Sequence, residues 1–341
     1  MRYEIRAAGV SDEEQLLRLS RFLNTVNLPH DRQHVRRLLE HAAQSFSAEI
    51  KERHRKYVFV LWDLEQGLAV GTSMIVAQLG RRDAPYIYLE VSSEEKYSNL
   101  LDKHFHHTVL RLGFSYDGPT EIGGLVVDPA YRGASERLGL LISYVRFLYI
   151  ARHRPLFRNE LLAELLPPLE PDGTSHLWEA LGRHFTDMSY ADADVLSSEN
   201  KGFIRDLFPS GPIYASLLSR DAQDVIGKVG AQTRGVEKML RRVGFRYAER
   251  IDPFDGGPHF VADADEVSLI RHTVTRTLSG ELDASRAARL ALVAREFEGP
   301  PYFRAVAAQV ELTASGVHVA RAAVQHLELQ NGDALTVLPL P

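Results

Sequence analysis

Hydrophobic and polar positions alternate at the start of the chain: Tyr3, Ile5 and Ala7 share one face of an extended segment, the period of a half-buried strand. After Ser11-Asp12-Glu13-Glu14 the spacing becomes helical, carried by Leu16, Leu17, Leu19 and Phe22, and Ser11 with Glu14 three residues on reads as a capping box. A second helix is predicted over residues 32–52, where Val35, Leu38, Leu39, Ala42 and Phe46 form one stripe. Residues 57–62 and 68–76, joined by Asp63-Leu64-Glu65-Gln66-Gly67, predict a long antiparallel hairpin. A strand follows at 86–91, then a mixed helical segment up to Leu112, then a strand at 121–127.

That last strand runs into Asp128-Pro129-Ala130-Tyr131-Arg132-Gly133 and then into residues 140–150, apolar on nearly every side and therefore a buried helix. A strand, a loop with Arg and Gly, and a helix start make a natural anion site, because free backbone N–H groups and the helix dipole both favour negative charge. The same pattern serves equally as a plain connection with solvated arginines. Residues 177–185 and 239–247 resemble each other, each an amphipathic helix marked by Gly182 or Gly244 before an aromatic strand; a duplicated unit and a coincidence both account for this. The loop Asp252-Pro253-Phe254-Asp255-Gly256-Gly257-Pro258-His259 is dense in turn formers and can hold acidic side chains rigidly. Past residue 264 an Arg-rich helical stretch at 284–294 is predicted, then a strand at 303–310, mixed signals at 317–327, and an Asn331-Gly332-Asp333 turn before a strand at 334–338.

Composition narrows the function classes. With 341 residues, 45% hydrophobic and 25% charged, the chain has the make-up of a globular protein of one large domain or two, and disorder and coiled coil are excluded. The 45 acidic and 40 basic residues give a net charge of -5 with no basic run, so neither nucleic acid nor membrane is an expected partner, and a cytoplasmic location is expected. There is no cysteine, which excludes thiolate metal sites and any acyl-enzyme on a thiol. His104, His106 and His107 are consecutive enough to point in different directions, so convergence on an ion is awkward; a wet surface helix is expected there, and no metal.

A strand and helix, a hairpin, and then Val126-Val127-Asp128-Pro129 followed by Arg132-Gly133 and Gly139 resemble the acyl-CoA N-acyltransferase (GNAT) superfamily. Residues 177–194, Gly211-Pro212-Ile213-Tyr214 through Gln223-Asp224-Val225-Ile226-Gly227, and 251–258 are similar to the arginine N-succinyltransferase family. The resemblance implies a GNAT-like α+β fold with a mixed, largely antiparallel twisted sheet over residues 1–262, plus a small C-terminal β-rich domain at 263–341. It implies succinyl-CoA as co-substrate, arginine or a related amine as acceptor, direct succinyl transfer to the α-amino group, and a homodimer or a hetero-oligomer with a related subunit. By the same resemblance the backbone at Leu125, Val126 and Val127 meets pantetheine and the oxyanion, and Arg132, Gly133, Arg137 and Gly139 serve the pyrophosphate, although the spacing from Arg132 to Gly139 is longer than the family's. Asp252, Asp255 and Glu121 are the carboxylates available to a guanidinium; Asp255 beside Gly256 also suits plain turn formation.

The chain departs from the family pattern at two points. The string after the Ile-Gly pair ends in the family in a proton-donating histidine, whereas here Gly230 stands there; after Gly-Gly-Pro, where the family has another residue, stands His259. His259 is accordingly the candidate acid–base residue, against the plainer role of a packed, hydrogen-bonded loop histidine. The departures leave two rivals: a CoA-dependent N-acyltransferase with another amine or acyl group, and an acyl-CoA-binding partner subunit without turnover.

Overall fold

The computed structural model describes residues 1–22, 28–82, 84–170, 172–199, 201–283, 288–314 and 316–341, with backbone alone at Ser198 and Glu199. Its strands run β1 (Tyr3–Ala7), β2 (Lys56–Asp63), β3 (Leu68–Val76), β4 (Tyr86–Ser98), β5 (Lys103–Ser115), β6 (Thr120–Val127) and β7 (Glu160–Glu164). They continue as β8 (Ile213–Tyr214), β9 (Arg246–Ile251), β10 (Pro258–Asp263), β11 (Val274–Glu281), β12 (Arg289–Glu296), β13 (Phe303–Leu312), β14 (Gly316–Val319) and β15 (Ala334–Pro339). The chain divides into two compact units built from separated stretches: Met1–Ala77 with Ile122–Asn159 and Ala264–Pro341, and Gln78–Glu121 with Glu160–Asp263.

In the first unit the strand order is β12-β15-β11-β14-β13-β1-β2-β3-β6. β1 is antiparallel to β2 on one side and to β13 on the other, so Ile5 faces both Leu61 and Ala305, and residues 300 positions apart in sequence pair in one sheet. Helices α1 (Glu13–Ser20) and α2 (Arg32–Phe46) lay Leu16, Leu19, Val35, Leu38, Leu39 and Ala42 against Val58, Val60 and Met74. Helix α3 (Leu138–Arg152) is buried almost all round, as its apolar sequence predicts, and the Ser73 hydroxyl donates to the Ile142 carbonyl at 2.7 Å.

In the second unit the order is β7-β10-β9-β4-β5-β8. Its core joins Ile87, Leu89 and Ile251 of the strands to Leu177, Trp178, Phe208 and Phe254, with the Trp178 and Phe254 rings stacked at 5.1 Å. Sheet with helices packed on it in each unit is the α+β class expected from sequence; among the described ladders, β11 runs parallel to β14 in the first unit, and in the second Thr120 and Glu121 pair parallel with Leu161 and Leu162.

Several local expectations are corrected. The segment following residue 91 is not helical: β4 and β5 form a long hairpin paired from Tyr86↔Ser115 to Ser98↔Lys103. Its outer half is exposed on both faces and so has no apolar period to read, and cross-strand pairing decides the conformation. Residues 289–296 are strand rather than helix, because β13 and β15 pair with the run on both sides and override the helix preference of its Ala, Leu and Arg; residues 284–287 lie outside the described residues. Gly182 sits inside a helix at φ -57 with no strand after it, whereas Gly244, at φ 116, does end a helix before β9, so the two similar segments are not copies of one unit. The first helix start is tied not by Ser11 and Glu14 but by Asp12, whose Oδ2 accepts the Gly9 N–H at 2.9 Å, and α2 stops at Phe46, short of residue 52. Among the described residues no helix is long and apolar enough to cross a membrane.

Candidate active site

Strand β6 of the first unit brings Leu125, Val126 and Val127 past Gly124, whose φ of +56 a side chain would resist; a Cβ there would stand 2.6 Å from Met74 Cε. Gly71 on β3 lets the strands approach, since its Cβ would lie 2.9 Å from the Val126 carbonyl oxygen. Val126 is buried, while Leu125 and Val127 are partly open. Asp128 caps the following turn through Ala130 N–H at 3.0 Å and pairs with Arg18, and the Arg132 Nε donates to the Val127 carbonyl at 3.1 Å. Gly133 takes φ +88, and Arg137 takes the left-handed φ 53 as the residue before α3, with no side-chain cap. The amides of Leu140 and Leu141 bond back to the Arg137 carbonyl, so those of Leu138 and Gly139, at the first turn, have no helical carbonyl to meet. The loop thus gathers Arg132, Gly133, Arg137 and Gly139 at a 15-residue helix start, an arrangement suited to an anion.

The second unit holds the titratable groups. His259 on β10 is the antiparallel register partner of Glu164 on β7 and is fully buried. On the other side β9 carries extra residues opposite His259, because Pro258 pairs with Ile251 and Phe260 with Tyr247; Glu249 in this bulge takes φ 55. His259 Nδ1 lies 2.7 Å from Tyr86 Oη, and the two rings stack at 5.8 Å. Its Nε2 is buried without a hydrogen-bond partner and stands 3.5 Å from Glu164 Oε1. Burial holds the imidazole below its ordinary 6.5, against the upward pull of Glu164 and Asp252, so it is neutral near pH 7.

Asp252 directly follows β9 and is fixed from three directions. Its Oδ1 accepts the Phe254 N–H at 2.7 Å, its Oδ2 the Lys201 ammonium at 3.2 Å, and its backbone N–H donates to the Gly257 carbonyl at 2.9 Å. Asp255 accepts the Gly257 N–H at 2.7 Å, so it does form the turn, and burial followed by the Asp252 charge pushes its carboxyl well up. Gly256 at φ +81 and Gly257, whose Cβ would strike the Leu165 carbonyl, make the loop possible. Asp194 is pushed up to about 6 by burial and by Asp252. Burial pulls Lys201 down, but Asp252, Glu164 and Glu121 outweigh it and hold the ammonium charged.

Four residues named from sequence, His259, Asp252, Asp255 and Glu121, therefore share one acidic neighbourhood around Lys201. Sequence reasoning missed Lys201, Glu164, Tyr86 and Asp194, because nothing in Glu160-Leu161-Leu162-Ala163-Glu164 or Asn200-Lys201-Gly202 marks them before the strands are paired. Glu164, Asp252 and His259 have metal-ligand chemistry, with donor atoms within 4.8 Å of one another, and the Lys201 ammonium is paired with Asp252 at 3.2 Å. The neighbourhood also suits a cationic amine, with one neutral imidazole beside it.

Gly230 is bound into a loop by its N–H to the Leu166 carbonyl at 2.8 Å. A Cβ at that position would meet Pro167 O at 2.6 Å and Leu166 O at 3.0 Å, so the backbone leaves no room for a side chain.

The family model for the arginine N-succinyltransferase beta subunit matches residues 3–269. An arginine N-succinyltransferase of Yersinia pestis is 31% identical over 321 residues, 92% of this chain and 90% of that one. One of Escherichia coli is 32% identical over 339 residues, 98% of this chain and 97% of that one. The solved arginine/ornithine succinyltransferase subunit AI of Pseudomonas aeruginosa superposes with a TM-score of 0.84 at 26% identity, covering 99% of this chain and 98% of that one. With a GNAT-like α+β fold and a family match over most of its length, the chain is a member of the arginine N-succinyltransferase family.

Proposed function

We propose that the chain transfers the succinyl group of succinyl-CoA directly to the α-amino group of L-arginine, with His259 as its acid–base residue. The observation that carries the assignment to His259 is the pairing of a buried, neutral imidazole whose Nε2 has no partner with a Gly230 that cannot hold a side chain. With its proton on Nδ1, the ring donates to Tyr86 Oη and presents the Nε2 lone pair. Nε2 takes a proton from the acceptor ammonium; the free amine attacks the thioester carbon; the C–S bond breaks as the amide forms. The ammonium carries three protons and the amide one, so two leave nitrogen: Nε2 passes one to the departing CoA sulfur, the other goes to solvent, and no group on the enzyme is consumed.

In this reading the backbone of Leu125, Val126 and Val127 meets the pantetheine and the developing oxyanion, where N–H donors stabilise charge that appears only in the transition state. Arg132, Gly133, Arg137 and Gly139 hold the pyrophosphate. Asp252 and Glu121 hold the acceptor's guanidinium, while Asp255, its carboxyl pushed well up by burial and turned into its own loop, shapes the site. A second reading, an acyl-CoA-binding partner subunit without turnover, draws on Gly230 alone.

The test is thiol release by the purified chain, offering succinyl-CoA and acetyl-CoA against arginine, ornithine and lysine; the absence of cysteine keeps the reagent background low. Release that requires both succinyl-CoA and arginine is expected. Silence with every acceptor, while succinyl-CoA still raises the melting temperature, would establish the binding-subunit reading instead.

A further inference from the structure

Away from the catalytic groups, the β4–β5 hairpin sets His104, His106 and Glu95 together on one exposed face. His104 and His106 are two apart on β5 and so point the same way, and Glu95 is the cross-strand register partner of His106. Once residues 103–115 are a strand, His104 and His106 share a face, and the ligand that completes the set comes from the neighbouring strand, where sequence order cannot show it. Glu95 Oε2 stands 3.3 Å from His104 Nε2, and Glu95 Oε1 stands 3.5 Å from His106 Nδ1. The two imidazoles lie 4.7 Å apart between centroids, and one donor atom from each of the three residues falls within 4.8 Å of the others.

From this we propose that the hairpin binds one Zn²⁺ through His104, His106 and Glu95. A tetrahedral Zn²⁺ with donors at about 2.0–2.1 Å separates them by about 3.3 Å, close to the spacings present. Two imidazoles and one carboxylate suit zinc, copper or nickel rather than calcium or magnesium, and leave the fourth position to water. Nearby charge does not oppose the ion: the Lys96 ammonium is engaged by Glu94, and Asp102 accepts the Tyr97 hydroxyl. His107, on the opposite face of β5 with Phe105, packs beside Tyr214 and is not a ligand. The ion would clip the two arms together at their outer half, where no third strand supports them among the described ladders.

The experiment is calorimetric titration of the chelator-treated full chain with zinc chloride, beside His104→Ala/His106→Ala, Glu95→Gln and His107→Ala. One site per chain is expected, weakened at least about tenfold in the double variant and in Glu95→Gln and unchanged in His107→Ala, in line with losing ligands from a three-residue chelate. Circular dichroism identical to the parent shows that each variant is folded; all four positions are exposed or partly exposed. Absence of binding by the parent overturns the proposal, as does a site of the same strength in the double variant. Neither result bears on succinyl transfer, whose residues lie elsewhere.

Discussion

The two ring nitrogens of His259 are in different situations, and the difference governs what its substitution does. Nδ1 is engaged by Tyr86, so the ring is held in place; Nε2 is unpartnered and faces Glu164. His259→Gln keeps a polar group of similar reach without the basicity and is expected to lower kcat by roughly 10²–10⁴-fold, measured by thiol release, while succinyl-CoA binding followed by thermal shift is retained. Because burial lowers the imidazole's affinity for protons, kcat/KM of the parent is expected to rise with pH through a midpoint below 6.5, the deprotonated form being the active base; in His259→Gln that limb disappears. The reciprocal experiment is Gly230→His. With Pro167 O only 2.6 Å from the position of a Cβ, the variant is expected to lose about 1–3 kcal/mol in urea unfolding and to leave His259→Gln unrescued when the two are combined. His259 and the acidic loop were legible in sequence because they stand in one string of turn residues. Lys201 and Glu164 were not, because what makes them part of the site is pairing between β7 and β10 and an ion pair to Asp252, both long-range.

Among the elements, β6 carries most. Just before Leu125, Val126 and Val127 it turns through Gly124 at φ +56, a left-handed conformation available at low cost only to glycine. Gly124→Ala is expected to destabilise the fold by about 1–3 kcal/mol, with Met74 forced aside, and to raise the concentration of succinyl-CoA needed for half-maximal thermal shift. If affinity for succinyl-CoA stays at the parent value in a folded variant, the conformation at Gly124 does not present those amides to the thioester. The elements most legible in sequence were those with one buried face or none exposed: β2, β3, α2 and the all-apolar α3. The outer β4–β5 hairpin and β12 were misread for opposite reasons. The first has no buried face to give a period, and the second is enclosed on both sides by partner strands, so its run of Leu, Ala and Val lacks alternation.

At the scale of the whole molecule, each unit is closed by residues distant in sequence, so order along the chain says little about neighbours in space. Phe303 of β13 packs edge-on against Phe59 of β2 at 5.4 Å, inside the unit that begins with Met1. The acidic neighbourhood of the second unit also has a global cost. Asp194 is pushed up to about 6, above its ordinary 3.8, so the folded state prefers it protonated; that contribution is present below the unfolded value and is lost as pH rises through about 6. Asp194→Asn is therefore expected to be more stable than the parent at about pH 8, by roughly 1–3 kcal/mol, with the gap closing towards about pH 4. Urea unfolding at both pH values checks the sign, and a constant gap would refute the linkage. The closed loop at Gly230 has a consequence for variation as well. With the carbonyls of Leu166 and Pro167 standing over position 230, a side chain there requires the segment at 166–167 to move first. Under the proposed mechanism the imidazole on β10 therefore acts as a ratchet: a variant that keeps the 166–167 segment in place depends on position 259 for its base.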